Sequence, residues 1–134
     1  MRYIEPHGHM VSRTTDDYKS MVMSGCQAVC EPAFWAGFDR SSPQGFYDYF
    51  CQLTLHEPRR AALFGLPHYT WLCINPKESE DVKLAEEVLS IIPEFMQCSN
   101  VLGIGEIGLN KNSKNEVLVL EKHIDLAVNN DQLI

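Results

Sequence analysis

Four apolar segments typical of strands alternate with four amphipathic segments typical of helices along the whole chain. The predicted strands cover residues 3–10, 27–34, 68–74 and 101–109, and the predicted helices cover residues 15–24, 43–57, 81–98 and 116–129. Such strict alternation predicts a parallel sheet covered by helices, because parallel strands need a crossover connection. The strands are apolar at odd and even positions alike, as strands buried on both faces are. The fold class is therefore α/β.

Both a closed barrel and an open doubly wound sheet fit this alternation. A (β/α)8 TIM barrel takes about 250 residues, so four βα units come to roughly half of one. Residues 129–131 predict a helix exit, and residues 132–134 predict the start of a fifth strand. We therefore expect residues 1–134 to be the N-terminal part of a single barrel domain, with about the first four βα units present and truncation before strand five.

Charge and composition argue against several kinds of partner. The formal net charge of −7 leaves no broad basic face, so binding to nucleic acid is not supported by charge, although an acidic chain can still hydrolyse phosphodiesters through a bound cation. No stretch is long and apolar enough to predict a membrane helix or a signal peptide, so we expect a cytoplasmic protein that binds no membrane. The five cysteines form no CxxC pair, which favours reduced, packed thiols.

Two histidines, His7 and His9, flank Gly8 at the end of the first predicted strand. Residues two apart lie on the same face of a strand. Enzymes with a TIM-barrel fold carry their active sites at the carboxyl ends of the barrel strands. Imidazole is a common zinc ligand. Glu5 has the same parity, and we expect it to accept the free ring N–H of a ligand histidine. The pattern predicts part of a metal site, and two surface histidines are the alternative.

Residues 103–108 (GIGEIG) satisfy the dinucleotide-binding pattern G-x-G-x-x-G. In a Rossmann unit, however, a helix begins inside this pattern and its N-terminus binds the pyrophosphate. Here isoleucines separate the glycines, and the polar loop 110–115 follows. We favour a strand that points the Glu106 carboxylate inward, where it can ligate or bridge divalent cations. Dinucleotide binding is the alternative.

Together, E-P-H-G-H and the later G-E-I-G-L-N resemble the D-x-H-x-H and G-E-I-G-L-D motifs of TatD-like metal-dependent hydrolases in the amidohydrolase superfamily. The resemblance covers essentially the whole chain. It implies that His7 and His9 are metal ligands and that Glu106 is the catalytic carboxylate ligand. It also implies one or two divalent metal ions, with zinc as the first choice and manganese or magnesium as alternatives. Two further histidines and an aspartate from strands five, six and eight would complete the site beyond residue 134.

Three positions depart from the family pattern. Glu5 and Asn110 stand where the family usually has Asp, and Asn75 stands where many members have His before Pro. Asn cannot titrate, so any proton transfer by a rim histidine is lost. We expect Asn75 and Asn110 to line the substrate pocket.

Other residues near strand ends are candidates for the same pocket. Glu31 ends the second strand, where its carboxylate can contact a substrate or a metal ion. The alternative is a loop carboxylate that is exposed to water. Trp35 lies in the long loop that follows, where an aromatic side chain can wall a pocket. The remaining histidines are expected to be structural or exposed: His56, His68 and His123.

These residues predict a hydrolase in which metal-activated water attacks an amide, ester or phosphodiester. The substrate is expected to be a small molecule or a phosphodiester. The alternative is a catalytically incomplete half-barrel that associates with a partner, or with itself through open sheet edges. Because half of the ligand shell would be missing, we expect this chain alone to be inactive or weakly active.

Overall fold

The computed structural model describes all 134 residues, and its four strands form one sheet in the order β1-β2-β3-β4. The strands are β1 (Tyr3–Glu5), β2 (Cys26–Pro32), β3 (His68–Leu72) and β4 (Val101–Ile104). Every neighbouring pair is parallel. The predicted α/β alternation is therefore confirmed, and the sheet is open.

Helices occupy each connection of the sheet and also follow β4. They are α1 (Thr15–Met23), α2 (Pro43–Cys51), α3 (Glu57–Ala62), α4 (Val82–Phe95) and α5 (Lys114–Asn129). Short polar side chains begin three of them by accepting a hydrogen bond from a main-chain N–H of the first turn, and these are Ser42, Asp81 and Ser113. Such caps satisfy N–H groups that have no partner inside the helix.

The predicted end of the second helix at residue 57 is wrong. The helix continues from α2 through a π-helical turn, Gln52–His56, directly into α3. Pro58 therefore lies inside a continuous helix, and the wider π-helical turn before it accommodates the proline ring.

All four strands end earlier than predicted. β1 ends at Glu5 rather than residue 10, β2 at Pro32 rather than residue 34, β3 at Leu72 rather than residue 74, and β4 at Ile104 rather than residue 109. Beyond β1 and β3 the chain turns into short 3-10 helices, Met10–Ser12 and Pro76–Glu78, which the sequence did not predict. The polar residues that were expected on strands therefore lie just past the strand ends.

A core of 17 buried residues joins the sheet to α2, α4 and α5. Its fully buried members include Phe46, Phe50, Leu53, Leu72, Ile74, Val88, Ile92 and Ile104. Each such side chain contributes about 1.5–3 kcal/mol through burial. A smaller buried cluster, which includes Tyr18 and Val29, packs against Tyr3 of β1. No helix has the length and apolar character needed to cross a membrane.

The last residues pair with the free edge of β4, as predicted for the start of a fifth strand. Leu133 forms a parallel bridge with Gly103, and its carbonyl accepts a hydrogen bond of 2.9 Å from the Ile104 N–H. A Cβ at Gly103 would collide with the Leu133 carbonyl, so the close approach needs glycine there.

Candidate metal centre

Three side chains from the segments that follow the two edge strands, β1 and β4, meet at the carboxyl end of the sheet. His7 Nε2 lies 2.7 Å from Glu106 Oε1, and His9 Nε2 lies 3.6 Å from the same oxygen. One ligand atom from each residue falls within 4.8 Å of the other two. No other group of three histidine, cysteine or acidic side chains in the chain is this close together.

Curvature of the sheet brings these residues together. Edge strands of a flat four-stranded sheet would lie about 14 Å apart, at about 4.8 Å per strand. Here the segments after β1 and β4 bend toward each other, and main-chain hydrogen bonds keep them on the sheet. Gly8 N–H donates to the Cys30 carbonyl at 2.9 Å, and Glu106 N–H donates to the Ala33 carbonyl at 3.3 Å.

The two imidazoles do not share a strand face, because β1 ends at Glu5 before either histidine. They meet through the turn into the 3-10 helix, with their rings edge to face at 5.0 Å. Glu5 also differs from the expectation. Its carboxylate accepts the main-chain N–H of His7 at 3.3 Å, so it supports the backbone of this segment and not a ring nitrogen.

His9 is the more enclosed of the two histidines. Its ring stacks on Phe34 with 4.0 Å between ring centroids, and its buried Nδ1 makes no well-formed hydrogen bond. Burial lowers the pKa of His9; Glu106 opposes this effect, and His7 adds to the lowering. A lowered pKa keeps the ring neutral, which is the form that ligates metal ions.

Of the predicted pocket residues, Asn75 and Asn110 line one open cleft of about 250 Å³ together with Glu106. Asn75 Nδ2 donates to Glu106 Oε2 at 3.3 Å. Trp35 is not among the residues that line this cleft. Its indole N–H donates to Asp39 at 2.8 Å, and its ring lies under the Lys77 ammonium.

The expectation for Glu31 as an exposed carboxylate or a pocket residue is wrong. Glu31 is the penultimate residue of β2 and is fully buried. One carboxylate oxygen lies 2.8 Å from His68 Nε2, and the other accepts the Val11 N–H at 2.9 Å. These contacts leave no carboxylate surface for a substrate.

Two further residues, Glu116 and His123, support the site through hydrogen bonds that the sequence did not predict. Glu116 accepts the main-chain N–H groups of residues 110–112, which orders the loop after Glu106. The Ser113–Glu116 capping pattern S-x-x-E was a usable signal for it. His123 Nε2 accepts the Ile74 N–H at 3.2 Å, and burial lowers its pKa to about 4. The sequence around His123 gave no indication of the hydrogen bond between His123 and the Ile74 N–H.

Comparison with known proteins points to one family of enzymes. No protein-family profile matches the chain. An uncharacterised metal-dependent hydrolase of Methanocaldococcus jannaschii is 27% identical over 124 residues, which cover 92% of this chain and 48% of that protein. A crystal structure of a TatD-like protein from Archaeoglobus fulgidus matches with a TM-score of 0.82 and 28% identity, over 96% of this chain and 52% of that one.

The chain spans about half the length of each of these relatives. Its four parallel strands and their helices match the first half of the TatD-like barrel. The resemblance predicted from the two motifs is confirmed at the level of both sequence and fold. The chain is therefore similar to the first half of a TatD-like, metal-dependent hydrolase.

Proposed function

We propose that residues 1–134 form the N-terminal part of a single barrel domain and supply three ligands to a divalent-metal-dependent hydrolase site. The observation that supports this is the meeting of His7, His9 and Glu106 with ligand atoms within 4.8 Å of one another. Two imidazoles and a carboxylate suit zinc best, and manganese or magnesium are alternatives.

The donor set fits a cation in three respects. Both Nε2 atoms face the same carboxylate oxygen, so their lone pairs converge. The lowered pKa of His9 keeps a lone pair free for ligation. The site is open to water, since the Glu106 side chain is 31% exposed and the His7 side chain is 57% exposed. The residues therefore fit a metal ion that also contacts a substrate.

A bound divalent cation would lower the pKa of water and polarise a carbonyl or phosphoryl oxygen of the substrate. His7, His9 and Glu106 would hold it. The Asn75 amide donates to Glu106 Oε2 and so fixes the rotation of the carboxylate. Asn75 and Asn110 line the adjoining cleft, where amides can orient a substrate but cannot transfer protons. An amide, ester or phosphodiester of a small molecule is the proposed substrate class.

Three ligands are too few for full activity under this proposal. We expect this chain alone to bind zinc weakly and to hydrolyse slowly, because a complete site would take further ligands from outside residues 1–134. Rapid turnover by the purified chain that depends on His9 would contradict this part of the proposal.

Calorimetric titration of the metal-free chain with zinc tests the ligand assignment. The proposal predicts saturable binding that His9→Ala and Glu106→Gln each weaken strongly. The matched control is His56→Ala, since His56 is exposed on the π-helical turn and far along the chain from the site. Zinc affinity unchanged by His9→Ala would refute the site. Hydrolysis of bis(p-nitrophenyl) phosphate and p-nitrophenyl acetate then compares substrate classes.

The open sheet supports a second proposal, association of the half-barrel with a partner or with a second copy. β1 has a neighbour on one side only, and three apolar residues near the sheet edges are more than half exposed: Ile4, Leu133 and Ile134. Free edges and exposed apolar side chains favour association. Light scattering should show a species larger than a monomer, and Ile4→Lys should reduce it. A stable monomer at high concentration would argue against association.

A further inference from the structure

The geometry points to Phe34 as the positioning residue for His9, with Arg40 and Glu78 fixing Phe34 in turn. The inference rests on the proposed metal site, because it explains how one of its ligands is oriented. It concerns the stacking of His9 on Phe34, a residue that lies outside both sequence motifs.

His9 lacks a well-formed hydrogen bond of the kind that normally fixes a ligand histidine. Such a ligand usually donates its second ring N–H to a carboxylate or a carbonyl, which sets both the tautomer and the ring orientation. His9 Nδ1 is buried, and the nearby Pro32 carbonyl lies outside regular hydrogen-bond geometry. The ring instead lies nearly parallel to Phe34, at 22° between planes and 4.0 Å between centroids. The flat face of Phe34 therefore limits the ring rotation that a hydrogen bond would otherwise limit.

Both main-chain polar groups of Phe34 are anchored to other elements. Its N–H donates to the Tyr49 hydroxyl of α2 at 3.2 Å. Its carbonyl accepts from Arg40 Nη2 at 3.3 Å. Phe34 is thus held in a loop that would otherwise be free to move.

Arg40 is itself held by a buried ion pair. Its Nη1 lies 3.0 Å from both carboxylate oxygens of Glu78, and its main-chain N–H donates to Glu78 Oε1 at 2.9 Å. The two side chains are only 8% and 1% exposed. The guanidinium also lies 4.0 Å from the centre of the Tyr49 ring. A buried Arg–carboxylate pair with several hydrogen bonds has a fixed geometry.

Glu78 ends the 3-10 helix Pro76–Glu78, which begins just after Asn75. The ion pair therefore ties the segment that carries Phe34 to the segment that carries Asn75. One of these residues stacks on His9, and the other donates to Glu106. The Arg40–Glu78 pair accordingly fixes the supports of two of the three ligands.

The test compares the same substitution at two places in one loop. Phe34→Leu keeps an apolar side chain but removes the flat ring, whereas Phe38→Leu alters an exposed phenylalanine that touches neither histidine. In titrations with Co²⁺ followed by visible absorption, Phe34→Leu should weaken binding about tenfold and alter the spectrum, as loss of a ligand's supporting partner does. Phe38→Leu should change neither the Co²⁺ affinity nor the spectrum. Phe34→Tyr, which keeps an aromatic ring, should retain the wild-type affinity and spectrum.

A double-mutant cycle tests the role of Arg40. Arg40→Lys keeps the charge but loses the paired hydrogen bonds, and it should weaken Co²⁺ binding in the wild-type background. If Arg40 acts through Phe34, the same change should have little further effect in Phe34→Leu, because the two effects are then not additive. Fully additive effects would overturn the relay from Arg40 to His9. Unfolding midpoints of the metal-free variants check that each is folded.

Failure of this inference can be told apart from failure of the metal site. If His9→Ala abolishes Co²⁺ binding while Phe34→Leu leaves affinity and spectrum unchanged, the positioning role is wrong and the site stands. If the wild-type chain binds no Co²⁺, the metal site is wrong. The stacking is then judged in the metal-free chain by nuclear Overhauser effects between the Phe34 and His9 ring protons. We expect these effects in the wild-type chain, and their absence would overturn the inference.

Discussion

Two carboxylate–imidazole clusters occupy the same sheet and have opposite surroundings. Glu106 meets His7 and His9 at the open end of the sheet, where the three side chains are between 28% and 57% exposed. Glu31 meets His68 between strands β2 and β3, where both side chains are fully buried. The residue types are the same, so the difference in role comes from solvent and from the other hydrogen bonds.

The buried carboxylate is closed to any further ligand, and the open one is not. Glu31 divides its two oxygens between His68 and the Val11 N–H. In Glu106, one oxygen faces both imidazoles, and the other receives only the amide of Asn75. Burying a carboxylate costs free energy unless its oxygens have such partners. A partly exposed carboxylate beside two imidazoles remains within reach of a cation.

The largest expected effect is on the buried cluster. Glu31→Ala should lower the free energy of unfolding by about 3–5 kcal/mol, because it leaves His68 buried without its partner. Glu106→Ala, in the absence of metal, should cost less than about 1 kcal/mol, since partly exposed pairs contribute little. Urea unfolding followed by circular dichroism measures both. Equal losses would remove the distinction between the clusters.

Acid should act on a fourth imidazole, His123, which is buried without any carboxylate. Burial lowers its pKa to about 4 in the folded chain, below the unfolded value of about 6.5. As pH falls from about 6.5 to 4, the unfolded chain therefore takes up a proton that the folded chain does not, and stability falls by up to about 3 kcal/mol. Urea midpoints across this range should depend less on pH in His123→Gln. An identical pH dependence in the variant would show that His123 does not titrate this way.

Zinc should stabilise the chain through the open cluster only. At a free concentration 100 times its dissociation constant, a ligand that binds the folded state alone adds about 2.7 kcal/mol. His9→Ala should remove this increment. The matched control His68→Gln should keep it, although that variant starts from lower stability. Zinc stabilisation that survives His9→Ala would place the metal elsewhere.

The smallest effect is expected at Asn75. Asn75→Ala removes the only side-chain hydrogen bond to Glu106 Oε2. One such bond is worth about 1 kcal/mol net, so zinc affinity should fall about fivefold. The variant also loses the Asn75 Oδ1 cap on the Lys77 N–H, so the free energy of unfolding without metal should fall by about 1 kcal/mol. Calorimetric titration measures this difference. A much larger loss of affinity would mean that Asn75 is itself a ligand.

The sequence predicted what depends on local pattern. Alternation of apolar periodicity indicated the α/β order, and the two short motifs indicated His7, His9 and Glu106. It could not show which faces the strand ends present, because β1 and β4 end earlier than their apolar residues suggest.

Contacts between distant residues were beyond that reasoning. Glu31 and His68 are 37 positions apart, and Arg40 and Glu78 are 38 apart. Nothing in the local sequence around Glu31 distinguishes a buried carboxylate from an exposed one. Phe34 likewise reads as an ordinary apolar residue until the fold brings His9 against its ring.

The most direct test of the metal centre is anomalous diffraction at the zinc absorption edge from crystals of the chain grown with zinc. We expect a strong peak within coordinating distance, about 2.0–2.2 Å, of both histidine Nε2 atoms and a Glu106 oxygen. The same crystals of His9→Ala should lose it. No peak at these residues in the wild-type chain at saturating zinc, or a peak that His9→Ala leaves in place, would contradict the assignment of His7, His9 and Glu106 as metal ligands.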